Sequence, residues 1–465
     1  MTVQTSDAPI ALARAAGKVP PGPSPFFYIA RASALADPRR ILGVFREIAQ
    51  RWGAVSSSAA GWTGRSYIVA DYATADAVFR NHEAFTKYPH PTADLAKLRA
   101  LIGKGMLATH TDGEWASHRQ SMARTFAKTA TIKNFGEIVM RHVDALLDEA
   151  SASGPQVSNI SELAIRLSGR VMSDILAPGH PFADANFLEI KRLLDESILV
   201  FHRWNFERRA KPYKRALRAQ AMMLIDTAAV SEHGEGLVQR MMADEPLWRT
   251  DDAARERLLD RTINLVVAGF ETTATTLNWV AHLLASHPDT QAALRGEIDA
   301  GVYGDGTSPA AFDDGALLRR AIFEAMRLHT VLWFNIRYAT QDVEIGGARF
   351  VKGARVMLLP FLANREAQVY ADPDAFDPAR YLRGEPGPLF PFGNGLRVCI
   401  GRTLAELEMQ AFVVGLLRRF DIAPASTPEA IGGVLLQPDR DVMVRLVPRT
   451  PDTRRSSDFD SDPIM

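Results

Sequence analysis

The chain is short of sulfur nucleophiles: among 465 residues there is one cysteine, Cys399. A single thiol excludes an internal disulfide, a zinc cage built from cysteines and an iron–sulfur cluster. Net charge is missing too. The 54 Lys and Arg residues balance 54 Asp and Glu residues, so no global field argues for nucleic acid or for an anionic membrane. No apolar run is long enough for a spanning helix, and the stretch from Met1 to Gly17 is too polar for a signal peptide. These absences predict a cytoplasmic protein with no membrane anchor and no nucleic-acid partner. There is also no internal repeat and no glycine fingerprint for a dinucleotide.

What is present is a large apolar fraction, 47% of the residues, enough for a sizeable core. Residues 1–19 read as a flexible lead-in that passes into the stiff, extended Pro20-Pro21-Gly22-Pro23. Residues 448–465, rich in Ser, Asp, Arg and Pro, read as a disordered tail. The run Tyr67-Ile68-Val69-Ala70 reads as a strand leading into a helix by residue 80, and most of 114–300 carries helical periodicity. Strand signals return over Val343–Leu359, with turns at Gly346-Gly347 and Lys352-Gly353. The expected class is mainly α with small segregated β-sheets.

The longest helical pattern runs from Glu256 to His287 and is stopped by Pro288. Inside it, Ala268-Gly269-Phe270-Glu271-Thr272-Thr273 breaks local rules: glycine and paired threonines are poor helix formers, and a buried acid is costly without a partner. One reading is a kinked helix whose threonines bond backward to carbonyls. The other is a proton relay, since a hydroxyl beside a carboxylate can pass protons to a reacting oxygen.

Cys399 lies in Phe392-Gly393-Asn394-Gly395-Leu396-Arg397-Val398-Cys399-Ile400-Gly401. Three roles are open to it: metal ligand, nucleophile, or small buried hydrophobe. Arg397 favours thiolate, Gly395 and Gly401 let backbone pass close to a flat object, and no base is placed beside the sulfur.

This run resembles the cysteine-ligand loop of the cytochrome P-450 family, Phe-x-x-Gly-x-Arg-x-Cys-x-Gly. The resemblance extends, in the family's order, over roughly residues 20–447. It implies a single haem-thiolate domain with a long central helix over haem b, and Cys399 as the proximal iron ligand, with Phe392, Gly393, Arg397 and Gly401 beside the haem. On the central helix it implies Thr272 hydrogen-bonding dioxygen, Glu271 feeding protons through water, and Ala268 and Gly269 against the haem. Trp115, His118, Arg119 and Arg337 match positions that hold haem propionates, with His110 a weaker candidate.

Glu324-Ala325-Met326-Arg327 and Phe376-Asp377-Pro378-Ala379-Arg380 match the segments that supply a buried charge network, so Glu324, Arg327 and Arg380 are expected to serve folding and haem retention. Val266, Val331, Leu332, Trp333, Phe334 and Leu436 are expected cavity walls. The family commonly has proline where this chain has Thr330, so the turn before Trp333 is expected to differ.

The implied activity is a soluble monooxygenase using O2 to hydroxylate or epoxidise an apolar small molecule such as a fatty acid, terpenoid or polyketide. It would be a monomer fed by a separate ferredoxin or flavodoxin and its NAD(P)H reductase, docking near Arg124, Arg397 and Arg402. The alternatives are a haem-thiolate isomerase, coupling enzyme or peroxygenase, and a haem-binding sensor without turnover. The basic run Arg208, Arg209, Lys211, Lys214, Arg215 and Arg218, which follows the aromatics of 201–206, reads as solvated surface or as a guide for an anionic substrate.

Overall fold

In the computed structural model, the described residues are 17–449 apart from 60–64, 88–91, 110–112, 153, 180–183, 199–205, 233–235 and 389. His110 and the aromatic run 201–205 lie outside them, as do most of the two terminal segments. Where the ends are described, they belong to the fold. Gly17 donates its N–H to Glu344 and Lys18 bridges to Ala348, so the lead-in is tied down before residue 20. At the other end the strand Met443–Pro448 runs past the expected boundary, and Arg449 is held by Asp299 at 2.7 Å.

The chain is mainly helical, with four small sheets among the described residues. The largest sheet has five strands in the order Val55–Ala59, Arg65–Val69, Arg355–Leu358, Asn335–Ala339, Phe85–Thr86. Only the pairing of Arg65–Val69 with Arg355–Leu358 is parallel. A second sheet places Met443–Pro448 between Gln156–Asn159 and Phe420–Pro424, and two hairpins complete the set, Val343–Ile345 with Ala348–Phe350 and Ala430–Gly432 with Leu436–Pro438.

The central helix spans Asp252–Ser286, four residues longer at its start than the apolar pattern suggests. The Asp251 carboxylate accepts from the N–H of Ala254 at 2.8 Å and caps the otherwise unsatisfied first turn. Pro288 opens the next helix. The helix is buried nearly all round, against the helix Ile160–Leu176 among others. Gly269 marks their closest approach: a Cβ there would sit 2.3 Å from Met172 Sδ. Gly269 therefore lets the two helices pack closely.

A separate apolar cluster gathers Phe27, Ile41, Leu42, Phe45, Ile48, Trp333, Phe361 and Leu436. It joins the N-terminal helices to the Ala430–Pro438 hairpin.

Candidate active site

The helix Arg402–Arg419 begins three residues after Cys399, and the loop before it is wound tightly. Cys399 N–H donates to Phe392 O at 2.7 Å, and Val398 N–H to Gly395 O at 3.1 Å. Gly393 and Gly395 take φ values of +71° and +66°, which a side chain resists. At Gly401 a Cβ would meet no protein atom within 4 Å, so the chain leaves space beside the sulfur. The Cys399 side chain has open surface although it lies deep in the protein. Burial pushes its pKa up, while the Gly401 N–H, Arg119 and Arg402 pull it down, the combination that holds a thiolate once a cation is near.

Cations gather round this loop. Arg397 donates from Nη2 to Thr109 O at 2.9 Å, and its guanidinium lies 4.7 Å from the Trp115 ring centroid. Arg119 approaches the same ring at 5.7 Å. Burial depresses the Arg119 guanidinium, and Cys399 opposes that shift. His118 is half-buried on the same helix, Gly113–Ala123. Arg337 packs on Phe79 at 4.4 Å and lines one recess with Arg397 and Lys87. Arg397 is thus half-buried and turned toward this recess.

Lys87 escaped the sequence reading because a lysine after a two-residue strand looks like ordinary surface. Burial, Arg397 and Arg337 push its ammonium down to about 7. Lys87, Arg337 and Arg397 thus bring three basic side chains to one recess, a charge that suits an anionic group. With the Cys399 side chain open, Arg119 and Arg402 near it and further basic side chains in the same part of the fold, the residues fit a haem: Cys399 would hold the iron, and Lys87, Arg119, Arg337 and Arg397 the propionates.

The central helix presents two faces here. Leu265, Ala268, Gly269 and Thr272 lie half-buried along one stripe, the i, i+3, i+4, i+7 spacing of a single helical face. Val266 is buried in the core, and Leu265 beside it is half-buried on the stripe. The Thr272 hydroxyl donates backward to Ala268 O at 2.8 Å, which is the kinked-helix alternative in part. Glu271 lies on another face, 3% exposed. Burial pushes its carboxyl up to about 7, with Lys191 pulling it down. No hydrogen bond joins it to Thr272 among those of the described residues.

Glu324, Arg327 and Arg380 come together with no exposed side-chain surface. Glu324 accepts from Arg327 Nη2 at 2.8 Å and Nε at 2.9 Å, from Arg380 Nε at 2.9 Å, from Tyr381 Oη at 2.7 Å and from Asp377 N–H at 3.1 Å. Arg327 also donates to the carbonyls of Asn364, Pro373 and Ala375, and Arg380 to Glu385. Tyr381 and Glu385 completed the cluster unseen, since neither has a sequence signature. Thr330, at the usual proline position, donates to Met326 O at 2.9 Å and accepts from Asn364 Nδ2 at 2.7 Å. The hydroxyl thereby fastens the helix end to the segment that Arg327 grips.

Of the other expected walls, Val331 is buried, Leu332 is exposed and Phe334 is half-buried. Trp333 is corrected. Its ring packs between Phe45 and Phe361 and its Nε1 donates to Gly433 O at 2.9 Å, so it is core. Leu436 lies in the same cluster and supports Val331 through its N–H at 2.8 Å.

The cytochrome P-450 family model matches residues 20–444. Mouse mitochondrial 25-hydroxyvitamin D-1 alpha hydroxylase is 34% identical over 203 residues, 42% of this chain and 40% of that protein. The aligned part thus spans less than half of that relative. Rabbit (Oryctolagus cuniculus) mitochondrial sterol 26-hydroxylase is 28% identical over 382 residues, 73% of this chain and 71% of that protein. The crystal structure of CYP175A1 from Thermus thermophilus superposes with a TM-score of 0.71 at 24% identity, covering 91% of this chain and 99% of the other. That last likeness shows the fold.

Proposed function

Because the chain belongs to the cytochrome P-450 family, we propose that this monooxygenase inserts one oxygen atom of O2 into an apolar small molecule of the fatty acid, terpenoid or polyketide kind. The observation that carries the reading is the Cys399 sulfur, on a side chain with open surface in the loop before the helix Arg402–Arg419, with Arg119 and Arg402 near enough to pull its pKa down. Haem b, when bound there, supplies the dioxygen activation. The chain does the rest.

Cys399 ligates through sulfur, with the Gly401 N–H and the N-terminus of the helix Arg402–Arg419 favouring the thiolate. Thr272, on the half-buried stripe, offers its hydroxyl oxygen as an acceptor while its proton is held by Ala268 O. Glu271, with a pKa of about 7, both takes up and releases a proton near neutral pH. Leu265, Val331 and Phe334 contribute apolar wall.

Electrons come from a separate ferredoxin or flavodoxin with its NAD(P)H reductase. Arg124 is exposed, and Arg402, though paired with Glu406 at 2.7 Å, keeps about half its side chain exposed, so Arg124 above all suits an acidic carrier. In the basic helix, Arg218 is committed to Glu256 at 2.6 Å, while Arg208, Lys211 and Arg215 stay exposed and suit a substrate with an anionic end. The Arg209 side chain lies outside the described residues. Among those residues no helix is long and apolar enough to cross a membrane.

The test is a spin-shift titration of the haem-loaded protein against fatty acids, terpenoids and polyketides, followed by turnover with a surrogate ferredoxin system. Ligands that shift the spin state should be oxygenated at the expense of NAD(P)H. No oxygenated product from any shifting ligand would count against the reading.

A further inference from the structure

A groove of about 590 Å³ lies where the N-terminal helices, Ala32–Leu35 and Ile41–Trp52, meet the hairpin of Ala430–Gly432 and Leu436–Pro438. Arg31, Arg39, Arg40 and Arg46 line it, against the carboxylates of Glu47 and Glu429. Glu47 is already committed. It accepts from Arg31 Nε at 2.6 Å and pairs with Arg51 at 2.7 Å. Arg31 is held further by the Phe27 ring, whose centroid lies 3.8 Å from its guanidinium.

The other three arginines are loosely held. Arg39 comes no nearer than 3.9 Å to Asp439 and its side chain is 69% exposed, while Asp439 is taken by Arg440 at 2.8 Å and by the Glu429 N–H at 2.9 Å. Arg40 and Arg46 are exposed, and neither forms an ion pair among the described residues. The groove therefore gathers positive charge that its own acids do not neutralise.

Its shape keeps that charge accessible. Gly43 lies three residues from both Arg40 and Arg46, so it stands between them on the helix surface. A Cβ at Gly43 would meet no atom within 4 Å: packing does not demand glycine there, and the bare backbone leaves room between the two guanidinium stems. On the hairpin side, Gly432 donates its N–H to Pro38 O at 2.8 Å, and a Cβ on it would come within 2.9 Å of Ile41 and Leu42. The two walls are thus pressed together before any ligand arrives.

We propose that this groove binds a phosphate group carrying two or more negative charges. Arg40 and Arg46 close on it across the Gly43 backbone, Arg39 joins from the turn before the helix, and Arg31, fixed by Glu47, forms the rigid end. A planar guanidinium gives two parallel N–H···O bonds to phosphate oxygens, which suits arginine to this ligand. A monocarboxylate would balance only one of the three loosely held arginines, whereas a phosphomonoester or pyrophosphate balances two or more. The group belongs either to a free phosphorylated small molecule or to a phosphomonoester lipid headgroup.

The test uses the haem-loaded full chain at about 0.15 M ionic strength. Calorimetric titration with pyrophosphate reads a free ligand, and co-sedimentation with phosphatidylcholine vesicles, with and without phosphatidic acid, reads a headgroup. Wild type is compared with Arg40→Gln, Arg46→Gln and their double variant. A second double variant, Arg249→Gln with Arg445→Gln, removes the same charge from exposed positions outside the groove. Each single groove variant should weaken binding about tenfold, and the double roughly a hundredfold, from one charge-assisted bond lost at each arginine. The second double variant should bind as wild type does.

The arm in which wild type binds names the source of the phosphate. Binding in neither arm overturns the proposal, as does binding that the groove double variant retains or that both double variants lose equally. None of these readouts requires turnover, so they stand or fall separately from the monooxygenase reading.

Discussion

Replacing Glu324 by alanine removes the one carboxylate between two guanidiniums that have no access to water. Five hydrogen bonds end on that carboxylate, from Arg327, Arg380, Tyr381 and the Asp377 N–H, all between 2.7 and 3.1 Å. Breaking a buried pair from one side typically costs about 3–5 kcal/mol, because the partner charge stays buried. Here Arg327 keeps three carbonyls and Arg380 keeps Glu385, so the lower end, about 3 kcal/mol, is expected. A loss of that size is a large part of a typical stability of about 5–15 kcal/mol.

The assay is urea unfolding followed by tryptophan fluorescence and far-ultraviolet circular dichroism, at matched haem content because bound haem itself stabilises the folded state. Arg383→Ala serves as the control: Arg383 pairs with Asp377 and Glu385 on the surface, half-exposed, and its loss should hardly register. Equal unfolding midpoints for Glu324→Ala and Arg383→Ala would refute the reasoning.

Three further outcomes are expected. Thr272→Ala should keep the thiolate spectrum but consume more NAD(P)H per product, read as peroxide or water formed against product. An unchanged ratio contradicts its role. Lys87→Gln should speed haem transfer to apomyoglobin by roughly tenfold, the loss of one charge-assisted bond, and an unchanged rate removes Lys87 from the propionate site. Glu408, 1% exposed on the helix Arg402–Arg419, is pushed up to about 8 by burial. Its folded pKa exceeds the unfolded one, so the folded state loses stability as pH rises from about 4.5 to about 8. Glu408→Gln should therefore match wild type near the lower limit and gain on it by about 1.4 kcal/mol per pH unit above that. A difference that stays flat in urea titrations over this range disproves the assignment.

Much of the fold is legible in the sequence because burial writes itself in periodicity. The central helix shows in its apolar ring and in Pro288, yet its start at Asp252 is hidden, since a capping aspartate carries no apolar signal. The network of Glu324, Arg327 and Arg380 is visible through its spacing, whereas Tyr381 and Glu385 join it only in three dimensions.

Val266 is buried while Leu265 beside it is half-buried, because on a helix one residue is a turn of about 100°. The resemblance implies Gly269 beside the haem and Trp333 at the cavity; in the fold Gly269 lies against Met172, and Trp333 packs between Phe45 and Phe361. Lys87 and Lys191 stayed hidden because their partners are far away in sequence: Arg337 and Arg397 for one, Glu271 and Gln437 for the other.

The central claim is that Cys399 supplies a thiolate to haem iron, and the ferrous carbon-monoxide spectrum of the haem-loaded protein tests it most directly. Wild type should show the red-shifted Soret band of a thiolate ligand, and Cys399→Ser should bind haem without that shift. A wild-type band at the unshifted position, or a Cys399→Ser band identical to wild type, would contradict the account.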